Sequence, residues 1–304
     1  MTSRISPPLL EPYLGLPDEA GLLVLTGILG ASTNWLVLRY LHSFLKPATT
    51  TKTRSTLLAQ DDDASSADDN DEVCVVLVSF LRDLSFWRDA AGRLGVDLDL
   101  LARRDRFAFV DGLSGLFSPS PVATAGVLTI ESVADVGTYI QRAVDALQRQ
   151  QHPHRRAAPP AGGGDDGSSI PKKEKKIVLV VDQLDFLLAA TAGTMVTGLA
   201  LRELLLDLRE KVYATITTLS ADEPLVVTQT TALEKEHASF VLSLAHEAAT
   251  ILSLRLLDTG VAKDVSGVIR ITAGGDVAGK RIDEKEFLYH VGGDGGVRVF
   301  ERGQ

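Results

Sequence analysis

Residues 27–34 have the spacing of a phosphate-binding loop but lack most of the side chains that such a loop needs. The pattern is G-x-x-x-x-G-K-[ST]: glycines let backbone N–H groups wrap the phosphates, the lysine neutralises their charge, and the hydroxyl holds Mg²⁺. The chain reads GILGASTN in this place. Gly27 matches the first glycine, whereas Ser32, Thr33 and Asn34 stand where the second glycine, the lysine and the hydroxyl are expected.

The loop residues are therefore predicted to be remnants of a nucleotide site rather than a working one. A loop at a helix N-terminus can still attract an anion through its N–H groups. Without the lysine, tight triphosphate binding is not expected, and a strand-to-helix turn that binds nothing explains the residues better. The residues that such a degenerate site would use are Gly27, Gly30, Ser32 and Thr33.

A second remnant is an apolar run that ends in an acid, IVLVVD, at residues 177–182. In P-loop ATPases an acid at the end of a core strand positions Mg²⁺. Many buried strands end in aspartate, so the signal gains its value from its order and distance after Gly27. Without the lysine, we expect Asp182 to position the loop or a neighbouring chain rather than to catalyse.

Two basic clusters could contact phosphate groups, or could equally form a solvated face or ion pairs between subunits. They are Arg103, Arg104 and Arg106 before a predicted strand, and Arg270, Lys280 and Arg281 near the C-terminus.

The sequence offers no nucleophile triad and no His/Cys cluster with the spacing of metal ligands. His237 and His246 lie near serines on a predicted helix, where histidines are mostly surface or interface residues. The single cysteine, Cys74, is interpreted as a buried strand residue in a reducing compartment.

Hydrophobic patterning predicts an α/β domain. Short apolar runs alternate with helical patterns and indicate a mostly parallel sheet with helices on both faces, while later alternation with glycine-rich turns indicates antiparallel strands at the C-terminal edge. The predicted core strands are 22–25, 73–78, 107–110, 177–181 and 225–227, residues 114–120 are predicted to be a loop, and the predicted helices lie near 34–45, 83–94, 133–147 and 201–212.

Two polar segments interrupt this pattern, at about 47–72 and 150–176, and are predicted to be disordered insertions in one domain that spans 1–304. Residues 61–72 carry seven acids, which reduces the net charge of −9 to about −2 for the remainder. The N-terminus lacks the pattern of a secretory signal, and a strand, loop and helix explain residues 21–41 better than a membrane span does.

Several segments together resemble the sixth subunit of the Elongator complex, in a fungal form. The resemblance covers most of the chain outside the two insertions, with the pieces in the expected order, and is carried by LTGILGASTNWLVLRYLHSFL, VCVVLVSFLRDLSFWRDAAGRLGVDL, VLVVDQLDFLLAAT and LLDTGVAKDVSGVIRITAGG.

The resemblance implies a RecA-like P-loop-NTPase fold without a proper phosphate loop, and a chain that is not itself an enzyme and binds no cofactor independently. It implies a heterohexameric ring with Elongator subunits 4 and 5 that docks on the catalytic subcomplex, binds tRNA and supports 5-position modification of the wobble uridine, U34. It places any ATP at the ring interfaces, and the protein in cytoplasm and nucleus without a membrane partner.

Other functions remain open from the residues alone. In a ring, Arg270 or Arg281 could be offered to a neighbour's nucleotide site. One alternative is a RecA-like ATPase with an unconventional phosphate loop, which would hydrolyse ATP as an isolated chain. The other is a RecA-like regulator of DNA recombination, although the sequence carries no DNA-binding module.

Overall fold

The computed structural model describes residues 7–46, 73–117, 133–149, 175–191, 196–257, 262–275 and 282–302. Within these ranges, nine strands form one mixed sheet at the centre of the protein. The strands are β1 (Leu22–Gly27), β2 (Val73–Ser79), β3 (Phe107–Asp111), β4 (Lys176–Asp182), β5 (Ala214–Ser220), β6 (Thr250–Arg255), β7 (Gly267–Ala273), β8 (Lys285–Val291) and β9 (Val297–Phe300). Their order across the sheet is β3-β2-β4-β5-β1-β6-β7-β8-β9.

The first six strands run parallel to one another, because each of the first five is followed by a connection that returns the chain to the same starting edge. β1, β2 and nearly all of β4 are buried on both faces, as their uninterrupted apolar runs predict. Cys74 is buried in β2, as expected. The carboxyl ends of all six strands therefore meet at one edge, which brings together Gly27, Ser79, Asp182 and Ser220.

Helices cover both faces of the parallel part and enclose two apolar layers. One layer packs against α1 and α2, and the other against α5, α7 and α9. In the described ranges, no helix combines the length and the apolar character needed to cross a bilayer. After a 3-10 turn at Pro8–Tyr13, the helices are α1 (Asn34–Leu45), α2 (Leu84–Arg93), α3 (Leu98–Arg103), α4 (Gly112–Phe117), α5 (Val133–Arg149), α6 (Phe186–Ala190), α7 (Gly198–Arg209), α8 (Glu223–Val226) and α9 (Ala232–Glu247).

The C-terminal strands are antiparallel and extend one edge of the sheet, which confirms the predicted architecture. β6 is the turning point, since it pairs parallel with β1 and antiparallel with β7. The turn between β8 and β9 closes with Gly295 at φ +79°, a conformation that favours glycine.

Two predicted elements are wrong. Residues 225–227 were expected to be the fifth strand, but they belong to the short helix α8 and the residue after it, and the fifth strand is β5. The central strand β5 has the sequence ATITTLS, and several of its threonines are buried. Because threonine is polar, the sequence lacks the apolar run that predicts a buried strand. The predicted loop at 114–120 is helical up to Phe117, and its later residues lie outside the described ranges.

The two predicted insertions lie almost entirely outside the described residues. The second predicted insertion ends at Lys176, which in the structure is the first residue of β4.

Candidate functional site

The loop after β1 closes on itself in a tight turn. The Ala31 N–H donates to the Ile28 carbonyl at 2.8 Å, and Gly30 takes the positive φ of +90° that the turn requires. A Cβ built on Gly27 would lie 2.8 Å from the Ala31 carbonyl oxygen, so the glycine permits two backbone segments to approach each other. The backbone geometry of the turn therefore requires Gly27 and Gly30, whether or not the loop binds a phosphate group.

The residues that replace the lysine and its neighbours contribute to the start of α1. Thr33 is buried at the N-cap position, and its side chain makes no capping hydrogen bond. The exposed Ser32 accepts the Asn34 N–H at 3.2 Å through its hydroxyl oxygen. Neither side chain carries the positive charge that a phosphate group needs there.

An acidic side chain occupies one of the loop's hydrogen-bond donors. The Leu29 N–H donates to Oδ1 of Asp222, which follows β5, at 2.8 Å. An anion competing for this N–H would have to displace the Asp222 carboxylate, and like charges about 4 Å apart repel by roughly 1 to 4 kcal/mol near a protein surface. The loop is therefore electrostatically unfavourable for phosphate even apart from the missing lysine.

Asp182 lies at the end of β4 and is completely buried. The Ser79 hydroxyl donates to Oδ2 at 2.8 Å and the Thr218 hydroxyl donates to Oδ1 at 2.9 Å, so both carboxylate oxygens are occupied by neighbouring strands. Burial raises the pKa of this carboxyl, and the two hydroxyl hydrogen bonds oppose that rise. β5 separates β4 from β1, and Asp182 joins β2, β4 and β5 at their carboxyl ends.

A buried pair, Asp185 and His237, lies next to this network. His237 Nε2 is 3.0 Å from Asp185 Oδ2, which also accepts the Ser220 N–H at 3.0 Å. The expectation of a surface or interface position is wrong for His237, which is 5% exposed, and holds for His246, which is exposed. Helical spacing could have found the difference, because His237 shares a face with Val241 and Leu244.

No group of metal-binding side chains accompanies this pair: within the described ranges, no three His, Cys, Asp or Glu residues are arranged to hold an ion.

The first basic cluster lies at the opposite edge of the sheet, where β2 and β3 begin. Arg103 and Arg104 are exposed there, at the end of α3. The Arg106 side chain instead donates to the carbonyls of Phe44 and Val73, at 3.3 Å each, and so joins the end of α1 to the start of β2. This cluster is remote from Asp182, and one of its three members supports the fold.

The second basic cluster is described only at Arg270. That residue is exposed in the middle of β7, opposite Ser253 on one side and Glu286 on the other. Lys280 and Arg281 lie outside the described residues.

Large apolar side chains are exposed where the loop, β5 and β6 end. Leu29 at the tip of the loop is 86% exposed, Val227 after α8 is 69% exposed, and Leu256 after β6 is 42% exposed. Leu256 lies beside the loop, since its Cδ1 would be 3.3 Å from a Cβ on Gly30. Around the loop this edge is thus apolar and carries the carboxylate of Asp222. Sequence reasoning missed Asp222 and the exposed leucines because they come from separate parts of the chain.

The sheet order and the helices on both faces define the fold class: the chain has a RecA-like α/β fold. A solved KaiC-like protein from the hyperthermophilic archaeon Pyrococcus horikoshii OT3 has a similar fold, with a TM-score of 0.51 and 16% sequence identity, covering 94% of this chain and 91% of that one.

The sequence also matches the family model described as Elongation complex protein 6, over residues 70–292. The chain belongs to this family. The matched range begins after the β1 loop, so residues 27–34 are not part of it, and the comparisons do not bear out the expectation of a fungal form. No curated protein sequence is significantly similar to this chain.

Proposed function

We propose that this chain is a non-catalytic subunit of the Elongator complex, which assembles a heterohexameric ring with subunits 4 and 5. The hydrogen bond between the Leu29 N–H and the Asp222 carboxylate is the main support for the proposal that the subunit is non-catalytic. It puts a negative charge on the loop that would have to bind a phosphate. Membership of the family supports the assignment to Elongator.

The surroundings of the loop support a contact with protein at this edge. Leu29 projects from a loop that is held rigidly by its own turn and by Asp222. An exposed leucine on a fixed loop loses little conformational freedom on association and contributes apolar area. Asp182 is buried between strands and stabilises this end of the sheet rather than serving a reaction.

In the proposed ring, the chain takes part in tRNA binding and supports modification of the wobble uridine, U34, at its 5-position. The modification chemistry belongs to the catalytic subcomplex on which the ring docks. Any ATP is bound at interfaces between ring subunits, where Arg270 or Arg281 could contribute a positive charge to a neighbour's site. Arg103 and Arg104 are candidates for tRNA phosphate contacts, and the complex acts in cytoplasm and nucleus.

The test combines ATP turnover with assembly. The purified chain alone is expected to hydrolyse no ATP, and mixing it with subunits 4 and 5 is expected to give a heterohexamer by size-exclusion chromatography with mass measurement. Turnover by the isolated chain that is lost in Asp182→Asn would contradict the proposal and support an autonomous ATPase. Failure to assemble with both subunits would contradict the ring.

A matched pair of variants tests the edge itself. Leu29→Ser is expected to weaken assembly about tenfold, since about 1.4 kcal/mol corresponds to one exposed leucine becoming buried in an interface. Leu100→Ser on α3, at the opposite edge, serves as the control and should assemble normally. Equal assembly of both variants would show that the loop edge is not the contact.

A further inference from the structure

A small cavity lies between α1, α2 and the turn that joins β8 to β9. Its volume is about 60 Å³. Its lining includes Trp35, Leu38 and Arg39 from α1, Ala90 and Arg93 from α2, and Gly295 from the turn. Two of these side chains are cationic, and none of the described residues that line the cavity is acidic.

Arg39 is the unusual member of this lining because its guanidinium is buried and has no counter-charge among the described residues. The residue is 3% exposed, and one nitrogen, Nη2, donates to the Gly295 carbonyl at 3.3 Å. Nε and Nη1 are buried without a hydrogen-bond partner among the described residues. Burying a charge without a partner is costly, and no acceptor for these two nitrogens lies among the described residues.

A second N–H donor of the lining residues resembles the Arg39 nitrogens in having no partner among the described residues. The indole Nε1 of Trp35 is also buried without a partner in the described part of the chain, while its ring packs on Tyr289 with centroids 5.1 Å apart. Arg93 adds a further positive charge at the more exposed side of the cavity. Three lining residues, Trp35, Arg39 and Arg93, thus carry N–H groups, and no lining residue in the described part of the chain has a side-chain acceptor.

One titratable neighbour of the cavity lies close enough to Arg39 to be affected by its charge. His42, one turn along α1, has its pKa lowered to about 4 by burial and by the positive charges of Lys46 and Arg39. The acid in the adjoining turn, Asp294, is exposed, and its Oδ1 accepts the Gly296 N–H at 2.9 Å. That carboxylate is therefore already engaged within its own turn.

We propose that this cavity binds a carboxylate group, supplied by a small organic acid or by an acidic side chain of another protein. The fork of N–H donors on a guanidinium matches a carboxylate geometrically. At about 60 Å³ the cavity is large enough for a small polar group and too small for a nucleotide. This site does not depend on the proposed ring, because every residue that forms it belongs to this chain.

Thermal unfolding of the full chain tests the site, with acetate, blocked N-acetyl-glutamate amide and inorganic phosphate as probes. Each is compared with chloride at the same pH and ionic strength. At saturation, acetate is expected to raise the Tm of the wild-type chain by about 2 °C or more, because a ligand that binds only the folded state stabilises it. Arg39→Met should lose this rise, whereas Arg103→Met, which removes an exposed arginine at a distant edge, should keep it.

The probes also separate the two sources of the carboxylate. A rise with both acetate and the blocked glutamate supports an acidic protein side chain as the occupant, and a rise with acetate alone supports a free small acid. A rise that phosphate alone produces, that persists in Arg39→Met, or that is absent altogether overturns the proposal. A rise that emerges only in Asp294→Asn also overturns it, since the occupant would then be this chain's own acid.

If Arg39→Met does not fold, the wild-type chain still provides a test. The Arg39 Nε–H resonance in the ¹⁵N-labelled protein should shift on titration with acetate and not with chloride. An unchanged resonance at saturating acetate would contradict binding at this guanidinium.

Discussion

Asp182 at the carboxyl edge of the parallel strands and Arg39 at the cavity between α1 and α2 differ in how their buried polar atoms are paired. At the edge, where the sequence suggests a ligand site, Asp182 has both oxygens occupied by Ser79 and Thr218, and the loop donates to Asp222. At the cavity, where the sequence gives no hint of a ligand, Arg39 has two buried nitrogens without a partner among the described residues.

Asp182 is thus a buried polar group whose hydrogen bonds are completed within the chain, whereas Arg39 is one whose hydrogen bonds are incomplete among the described residues. A buried group whose hydrogen bonds are completed within the chain stabilises the folded state, because removing it leaves its neighbours without hydrogen-bond partners. A buried group left incomplete costs stability until something else completes it. Substitutions at Asp182 and at Arg39 should therefore change stability with opposite signs.

The largest expected effect is at Asp182. Asp182→Ala removes the acceptor of the Ser79 and Thr218 hydroxyls and should lower the free energy of unfolding by about 3 kcal/mol, because two buried donors lose their partner. Urea denaturation of the purified chain measures this loss. A loss below about 1 kcal/mol would show that Asp182 is not a structural centre, and the comparison would fail on this side.

Gly27 gives the next largest effect. In Gly27→Ala the new Cβ would lie 2.8 Å from the Ala31 carbonyl oxygen, so backbone must move, at a cost of about 2 kcal/mol. Gly92→Ala in α2 is the matched control: a Cβ there meets nothing within 4 Å, and helix propensity favours alanine. If Gly27→Ala were as stable as this control, the glycine would not be required by the turn.

Arg39→Met should act in the opposite direction. The substitution removes a buried unpaired charge but loses the hydrogen bond to Gly295, and we expect a net gain of about 1 kcal/mol in the absence of a bound carboxylate. Denaturation of both chains in chloride measures the gain. A clear loss of stability would mean that Arg39 is already satisfied in the folded chain, which would remove the contrast between the two regions.

The sequence predicts the edge more completely than the cavity, for physical reasons. Long apolar runs such as the one ending at Asp182 specify buried parallel strands, and four of the five predicted core strands are present. β5 was missed because its buried Thr215, Thr217 and Thr218 look polar, and only the structure shows that the Thr218 hydroxyl bonds to Asp182.

The cavity was missed for a different reason. Arg39 occupies a face of α1 that is covered by α2 and by the distant β8–β9 turn, and one helix does not specify which segments will cover it. The contact between the Leu29 N–H and Asp222 is equally long-range, since it joins positions separated by 193 residues. Local patterns predict elements, whereas both features depend on tertiary neighbours.

The smallest expected effect is a change in the pH dependence of stability at Asp182. Burial raises the pKa of the folded carboxyl above its ordinary 3.8, so between these two values the folded state binds more protons than the unfolded state. Stability from this group therefore falls as pH rises from about 4 through the folded pKa. Asp182→Asn cannot titrate, so relative to the wild-type chain it should become more stable as the pH rises through that window.

The Asn variant keeps an oxygen for the Thr218 hydroxyl, so its effect is smaller than that of Asp182→Ala. The hydroxyls of Ser79 and Thr218 also oppose the rise in pKa and limit the size of the change. Urea denaturation of both chains at a series of pH values gives the difference in unfolding free energy. A difference that does not change with pH, or that favours the wild-type chain increasingly as pH rises, would mean that hydrogen bonding outweighs burial at this carboxyl.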